Sequence, residues 1–156
     1  MNKDELTRKH KQYLFPSQAH YYREPLWAER GRMQYLWDVE GKRYLDFFGG
    51  IVTVSVGHAN PRVTEKVNAQ VSRLPHASTL LPNEAIVLLA EKLAQITPGQ
   101  LTRSFFTNSG TEANETAVQL ARMHSGAFEV VVLRHGYSGR SFVAQSLAGQ
   151  NTWRRS

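Results

Sequence analysis

SFFTNSGTEANETAVQLA, residues 104–121, passes from strand through a polar turn into helix. Adjacent Phe105 and Phe106 suit a buried strand over 103–107. Asn108-Ser109-Gly110-Thr111 is the turn, and Ser109 followed three residues later by Glu112 is a capping-box pattern. Ala113, Ala117, Leu120 and Ala121 then recur at helical spacing, which predicts a helix over 111–124. A helix start presents unpaired N–H groups and the positive end of the dipole. Gly110 lets an anion approach that backbone, and the hydroxyls of Ser109 and Thr111 add donors, so the turn reads as a phosphate cradle. An ordinary N-cap is the plainer reading of the same residues.

Downstream, EVVVL (129–133) is the clearest strand in the chain, and a glycine-punctuated loop, Arg134 to Arg140, follows it. Strand 103–107, helix 111–124 and strand 129–133 form a strand–helix–strand unit, which favours parallel strands and a right-handed crossover. Ligands of such sheets sit at the carboxyl ends of the strands. The 108–111 turn and the 134–140 loop are therefore expected to open on one edge. Tyr137 there is either a packed aromatic or a face for a flat ligand. Arg140 is either a surface charge or a bidentate clamp for a carboxylate. Taken together, these groups suggest a phosphorylated planar cofactor and a small acid substrate.

Upstream, Asn60-Pro61 opens a helix that carries Val63, Val67 and Val71 on one face and runs to about Arg73. A second helix starts at Asn83, carries Ile86, Leu89, Ala90, Leu93 and Ile96, and stops at Thr97-Pro98-Gly99. Residues 33–38 and 43–46 flank Val39-Glu40-Gly41-Lys42 as a hairpin. Phe47-Phe48-Gly49-Gly50 breaks the pattern, and the β-branched run Ile51 to Val56 reads as a strand or the extended wall of a pocket. Residues 1–24 are polar, with aromatic Tyr13, Phe15, Tyr21 and Tyr22, and read as an arm that packs on something else. The tail beyond Arg140 has no clear element.

With 156 residues, 41% hydrophobic and 21% charged, the chain suits one ordinary domain with a core. No apolar run is long enough to span a bilayer, and MNKDELTRKHKQYLFP lacks the apolar centre of a secretory signal. Zero cysteines exclude disulfides, thiolate zinc sites and a cysteine nucleophile. The default expectation is a cytoplasmic protein with no membrane partner. The net charge of +6 is spread out, with only short clusters at Arg8-Lys9-Lys11 and Arg154-Arg155, so no nucleic-acid partner is expected. TNSGT is neither G-x-G-x-x-G nor a Walker A loop. Gly136 to Arg140 ends in Arg where a nucleophile elbow has Gly. No histidine pair has ligand spacing, so no metal site is expected. Asn114-Glu115-Thr116 matches a glycosylation sequon but lies in the predicted helix and is discounted.

Three stretches, YLDFFGGIVTVSVGHANP (44–61), FFTNSGTEANETAVQLAR (105–122) and HGYSGR (135–140), carry a resemblance. In content, order and spacing the chain resembles the class III, pyridoxal-phosphate-dependent aminotransferases of fold type I, from about residue 20 to the end. LDFFGGIVTVSVGH is similar to the alanine–glyoxylate aminotransferase type. The resemblance implies that Ser109, Gly110 and Thr111 hold the phosphate of pyridoxal 5'-phosphate and that Tyr137 stacks on its ring. It implies that Arg140 receives the substrate α-carboxylate and that Ile51, within Gly49 to Thr53, lines the substrate side. Ser138 departs from the His or Trp of many members. The implied fold is α/β: residues 1–60 an N-terminal arm and small-domain segment, residues 61–156 the start of a large parallel-sheet cofactor domain. The implied activity moves an amino group between an amino acid, such as alanine, and a keto acid, such as glyoxylate, in a homodimer.

Family members also carry an Asp, in a D-E-V-Q-x-G-like motif, that pairs with the pyridine nitrogen, and a later Lys that forms the Schiff base. Neither occurs in residues 1–156, whose last lysine is Lys92. The chain is therefore expected to be the N-terminal part of an aminotransferase, without a catalytic Lys and inactive alone. Decarboxylases, racemases and aminomutases of the same fold are rival readings, as is a non-catalytic remnant.

Overall fold

Asn2 sets the first helix. In the computed structural model, which describes residues 1–17 and 22–150, Asn2 Oδ1 accepts the Glu5 N–H at 2.9 Å. Helix α1 then runs Lys3–Tyr13, with Asp4 and Glu5 at its positive end and His10 and Lys11 at its negative end. The polar arm thus holds a helix, and its partner is near in sequence. Trp27 Nε1 donates to Thr7 Oγ1 at 3.1 Å, and the His10 and Trp27 rings meet edge-on at 5.6 Å. Tyr21 and Arg154-Arg155 lie outside the described residues.

Strands β1 (Ala28–Arg32), β2 (Tyr35–Asp38) and β3 (Arg43–Leu45) form an antiparallel sheet in the order β1-β2-β3. Tyr35 lies opposite Leu45 and Leu36 opposite Tyr44. The hairpin expected from sequence is present, and Asp38 builds its turn. Asp38 Oδ1 accepts the N–H groups of Glu40 and Lys42 at 3.0 and 2.9 Å, and Oδ2 accepts the Tyr44 hydroxyl at 2.7 Å. These donors, the Tyr44 hydroxyl first, hold the Asp38 carboxyl below its ordinary value. Gly41, at φ 81°, supplies the left-handed residue of the turn. β1 escapes a sequence reading because AERGR has no alternation; pairing with β2 makes it a strand.

Ile51 to Val56 is not a strand. Gly49, Gly50, Ile51 and Val52 have φ of 57°, 60°, 61° and 65°, a single left-handed turn, α2 (Gly49–Val52). The cause lies just before it. Asp46 Oδ1 accepts the N–H groups of Phe48 and Gly49 at 2.8 and 2.9 Å and turns the chain directly after β3. The two glycines enter the left-handed region freely, whereas Ile51 and Val52 are held there at about 1–2 kcal/mol each. Beyond it, Asn60 caps α3 (Pro61–Arg73) through the Arg62 N–H, as its Asn-Pro start predicts.

The chain divides into two compact units, Met1–Leu81 and Pro82–Ser156. In the second, Asn83 caps α4 (Glu84–Ile96), and Ser109 caps α5 (Gly110–Ser125), which Gly126 ends at φ 71°. α6 (Phe142–Ser146), capped by Ser141, lies in the tail where sequence gave no element.

Segments 103–107 and 129–133 carry no strand ladder among the described residues. A strand needs hydrogen-bonded neighbours, and an apolar sequence alone does not supply them. The second segment still alternates. Val130 and Val132 are 42% and 39% exposed, against 100% for Val131 and 81% for Leu133. Both faces are apolar, the pattern of a strand made to be covered on two sides. The helices show the same lack of cover: α3, α4 and α5 have no buried residue, and the buried apolar side chains among the described residues are Ala144 and Ala148. No helix among the described residues is long and apolar enough to cross a membrane.

Candidate functional site

The α5 start is closed by reciprocal bonds. Ser109 Oγ accepts the Glu112 N–H at 3.1 Å, and Glu112 Oε2 accepts the Asn108 N–H at 2.7 Å. Thr107 Oγ1 donates to the Ser109 carbonyl at 3.1 Å, tying the incoming segment to the turn. The helix's own carboxylate thus engages Asn108, outside the first turn, where an anion would be drawn to the backbone N–H groups. A Cβ built on Gly110 would meet nothing within 4 Å, so this part of the turn is open to a ligand.

The loop after Leu133 folds back onto that turn. Gly136 N–H donates to the Leu133 carbonyl at 3.0 Å, and Gln150 Nε2 donates to the His135 carbonyl at 2.9 Å. Gly139, at φ 131° and buried, sits directly on Thr111. A Cβ there would lie 2.9 Å from Thr111 Cβ and 3.0 Å from Ala144 Cβ, and would collide with Thr111 Oγ1. The next N–H, of Arg140, donates to Thr111 Oγ1 at 3.4 Å. Asn114, one turn further along α5, donates from Nδ2 to the Ser138 carbonyl at 2.8 Å. Ser141 Oγ accepts the Ala144 N–H at 3.3 Å and starts α6, whose Gln145 Nε2 donates to the Arg140 carbonyl at 3.2 Å.

The turn at 108–111 and the loop at 134–140, assigned to one edge from sequence, therefore meet through Thr111 and Arg140. Ser109, Gly110, Thr111, Tyr137 and Arg140 all belong to the second unit, with Tyr137 54% exposed beside the anchored Ser138. Ile51 belongs to the first, in the left-handed turn, and is 73% exposed. Ser109 and Thr111 hydroxyls both accept a backbone N–H, so each keeps its own proton to donate outward. These residues suit a phosphate: an open glycine, a helix start and two hydroxyl donors. Sequence reading weighed Asn114 only as part of a discounted sequon and Gly139 only as loop punctuation, not as site residues. The signal for Asn114 was its place three residues after Thr111 on the same helix face; for Gly139 there was only its identity.

The first unit adds a second constellation. Asp46 Oδ2 lies 2.6 Å from His58 Nε2, and the Asp46 side chain is 7% exposed. The hydrogen bond from His58, then those from the Gly49 and Phe48 N–H groups, hold the Asp46 carboxyl below its ordinary value.

A family model described as Aminotransferase class-III matches residues 17–156. The mitochondrial alanine–glyoxylate aminotransferase 2 homolog 2 of Arabidopsis thaliana is 44% identical over 151 residues, 97% of this chain and 32% of the relative. The mitochondrial alanine–glyoxylate aminotransferase 2 of Homo sapiens is 43% identical over 145 residues, 93% of this chain and 28% of the relative. Among solved structures, taurine:2-oxoglutarate aminotransferase from Bifidobacterium kashiwanohense, in complex with PLP and glutamate, matches with a TM-score of 0.86 at 25% identity. That match covers 98% of this chain and 34% of the solved one. The chain spans about a third of the length of the curated relatives it matches.

One expectation is overturned. Composition gave a cytoplasmic protein, whereas both relatives are mitochondrial by name. Absent cysteines and absent apolar spans suit a mitochondrial protein equally well, so that default carried no information.

Proposed function

The chain belongs to the class III aminotransferase family, and from that premise we propose that its second unit grips pyridoxal 5'-phosphate. The phosphate goes to Ser109, Gly110 and Thr111 and the ring to Tyr137, in an enzyme that moves an amino group between an amino acid and a keto acid. The α/β architecture is that of a partial fold type I transaminase. The observation that carries the site reading is the junction of Thr111 with Arg140, which puts a phosphate-grade turn and an aromatic-bearing loop on one piece of structure.

When bound, the cofactor supplies an electron-withdrawing ring on which amino-group chemistry proceeds. The protein's part is binding and orientation. The α5 start and the outward hydroxyl protons of Ser109 and Thr111 hold the phosphate. The Tyr137 ring stacks on the heterocycle and covers it from water. Arg140 offers a planar fork to the substrate α-carboxylate. Alanine as donor and glyoxylate as acceptor are the substrates we assign, from the relatives, and a homodimer is the assembly. Residues 1–60 serve as arm and small-domain segment and residues 61–156 open the cofactor domain.

Residues 1–156 by themselves do not turn over on this reading. The lysines are Lys3, Lys9, Lys11, Lys42, Lys66 and Lys92, and none lies in the 108–111 turn or the 134–140 loop. The chemistry needs a lysine at the cofactor that also moves the proton. The test is to assay residues 1–156, and the complete reading frame of the locus, with pyridoxal phosphate, alanine and glyoxylate. Turnover by the complete enzyme alone is expected. Sustained turnover by residues 1–156 would sink the claim of inactivity. Release of carbon dioxide, or racemised alanine, in place of transfer would move the assignment to a rival activity of the same fold.

A further inference from the structure

The loop that carries Tyr137 is fastened to α5 at three consecutive residues. Asn114 Nδ2 holds the Ser138 carbonyl at 2.8 Å. Gly139 is seated on Thr111 with no room for a side chain. The Arg140 N–H reaches Thr111 Oγ1 at 3.4 Å. Thr111 and Asn114 are one turn apart on one face of α5, so the helix that starts at the phosphate turn also sets the height of the loop. Of the three fastenings, the Asn114 amide is the one adjacent to Tyr137, and it is shorter than the bond from the Arg140 N–H to Thr111.

We propose that Asn114 is a positioning residue for Tyr137: it fixes the Ser138 carbonyl and thereby the plane in which the Tyr137 ring meets the cofactor. The inference rests on the reading of Tyr137 as the stacking ring. The Asn114 amide gives the loop a directional anchor at the residue next to Tyr137. Replacing the donor removes the partner that orients the Ser138 carbonyl next to Tyr137, and stacking needs a fixed plane.

The test uses the complete enzyme and a cycle of Asn114→Asp, Asn114→Ala and Tyr137→Ala. Asn114→Asp keeps the shape and replaces the donor by an acceptor. Affinities for pyridoxal phosphate and for pyridoxal, which lacks the phosphate, are read by absorbance titration. The circular dichroism of the bound chromophore and the thermal midpoint of the unliganded protein are recorded beside them. Each Asn114 variant is expected to lose about three- to tenfold in affinity for both ligands, with a changed chromophore dichroism and an unchanged thermal midpoint. In the Tyr137→Ala background the same substitutions should have no further effect. Additive losses, a loss confined to the phosphorylated ligand, or no loss at all would overturn the proposal. A wild-type enzyme that binds neither ligand would overturn the cofactor reading itself, a result distinct from binding with an additive cycle.

Discussion

His58 Nε2 meets Asp46 Oδ2 at 2.6 Å, twelve residues along the chain, and closes the segment between them into a loop. The backbone helps: His58 and Met33 exchange N–H and carbonyl bonds at 2.7 and 2.8 Å, an isolated antiparallel bridge. One carboxylate thus binds the start of the left-handed turn through Oδ1 and, beyond its end, the His58 ring through Oδ2. Two β-branched residues sit in an unfavourable backbone region, and this clamp lies at both ends of them.

Asp46 therefore ties stability to acid. Its folded pKa is below the ordinary 3.8, so its contribution is full above that value and is lost as pH falls through the folded pKa. In Asp46→Asn, the part of the acid limb lying below 3.8 should flatten, while Asp38, also depressed, keeps a residual limb. Thermal midpoints of the two proteins, followed from neutral pH to well below 3.8, give the comparison. Parallel curves would count against the clamp.

Thr111→Val should weaken pyridoxal phosphate about tenfold to a hundredfold, the worth of about 1.5–3 kcal/mol for a hydrogen bond to a charged group. Pyridoxal without the phosphate should lose far less. Equal losses for the two ligands in an absorbance titration would remove Thr111 from the cradle.

Gly110 and Gly139 should separate binding from folding. Gly110→Ala has room for its methyl group and should leave stability nearly unchanged while hindering a phosphate at the α5 start. Gly139→Ala combines φ 131° with contacts on Thr111 and Ala144 and should cost about 1–3 kcal/mol of stability. Denaturant midpoints and cofactor titrations of both variants decide this, and a destabilised Gly110→Ala would contradict the open geometry.

Tyr137→Ala should loosen the cofactor ring and shift its absorbance, and Tyr137→Phe much less, because stacking needs the ring and not the hydroxyl. Arg140→Lys should chiefly impair substrates with an α-carboxylate, since a point charge replaces a planar fork. Steady-state kinetics with a set of amino acids and with an amine lacking the carboxylate would expose a uniform effect, which the clamp role does not allow.

Where a local rule sets the structure, it was legible in the sequence. Asn60-Pro61, Asn83, and Ser109 with Glu112 mark helix starts that the side chains themselves cap. Asn2 with Glu5 is the same signal, and it lies within the stretch read only as a polar arm that packs on something else. The meeting of the 108–111 turn with the 134–140 loop followed from strand–helix–strand logic, although neither flanking segment has a ladder among the described residues. What escaped depends on distant partners. β1 exists by pairing, and the left-handed turn exists because Asp46 and His58 close around a β-branched run whose composition favours a strand. The buried seat of Gly139 on Thr111 needed the third dimension altogether.

The apolar segment 129–133 has an alternating exposure but no ladder among the described residues. Its amide protons therefore exchange with solvent deuterium near the rate of an unstructured peptide, and each becomes slow only when a neighbouring strand accepts it. The valines at 130, 131 and 132 thus act as built-in reporters: mass spectrometry of a single peptide covering them reads whether a neighbouring strand has paired with this segment.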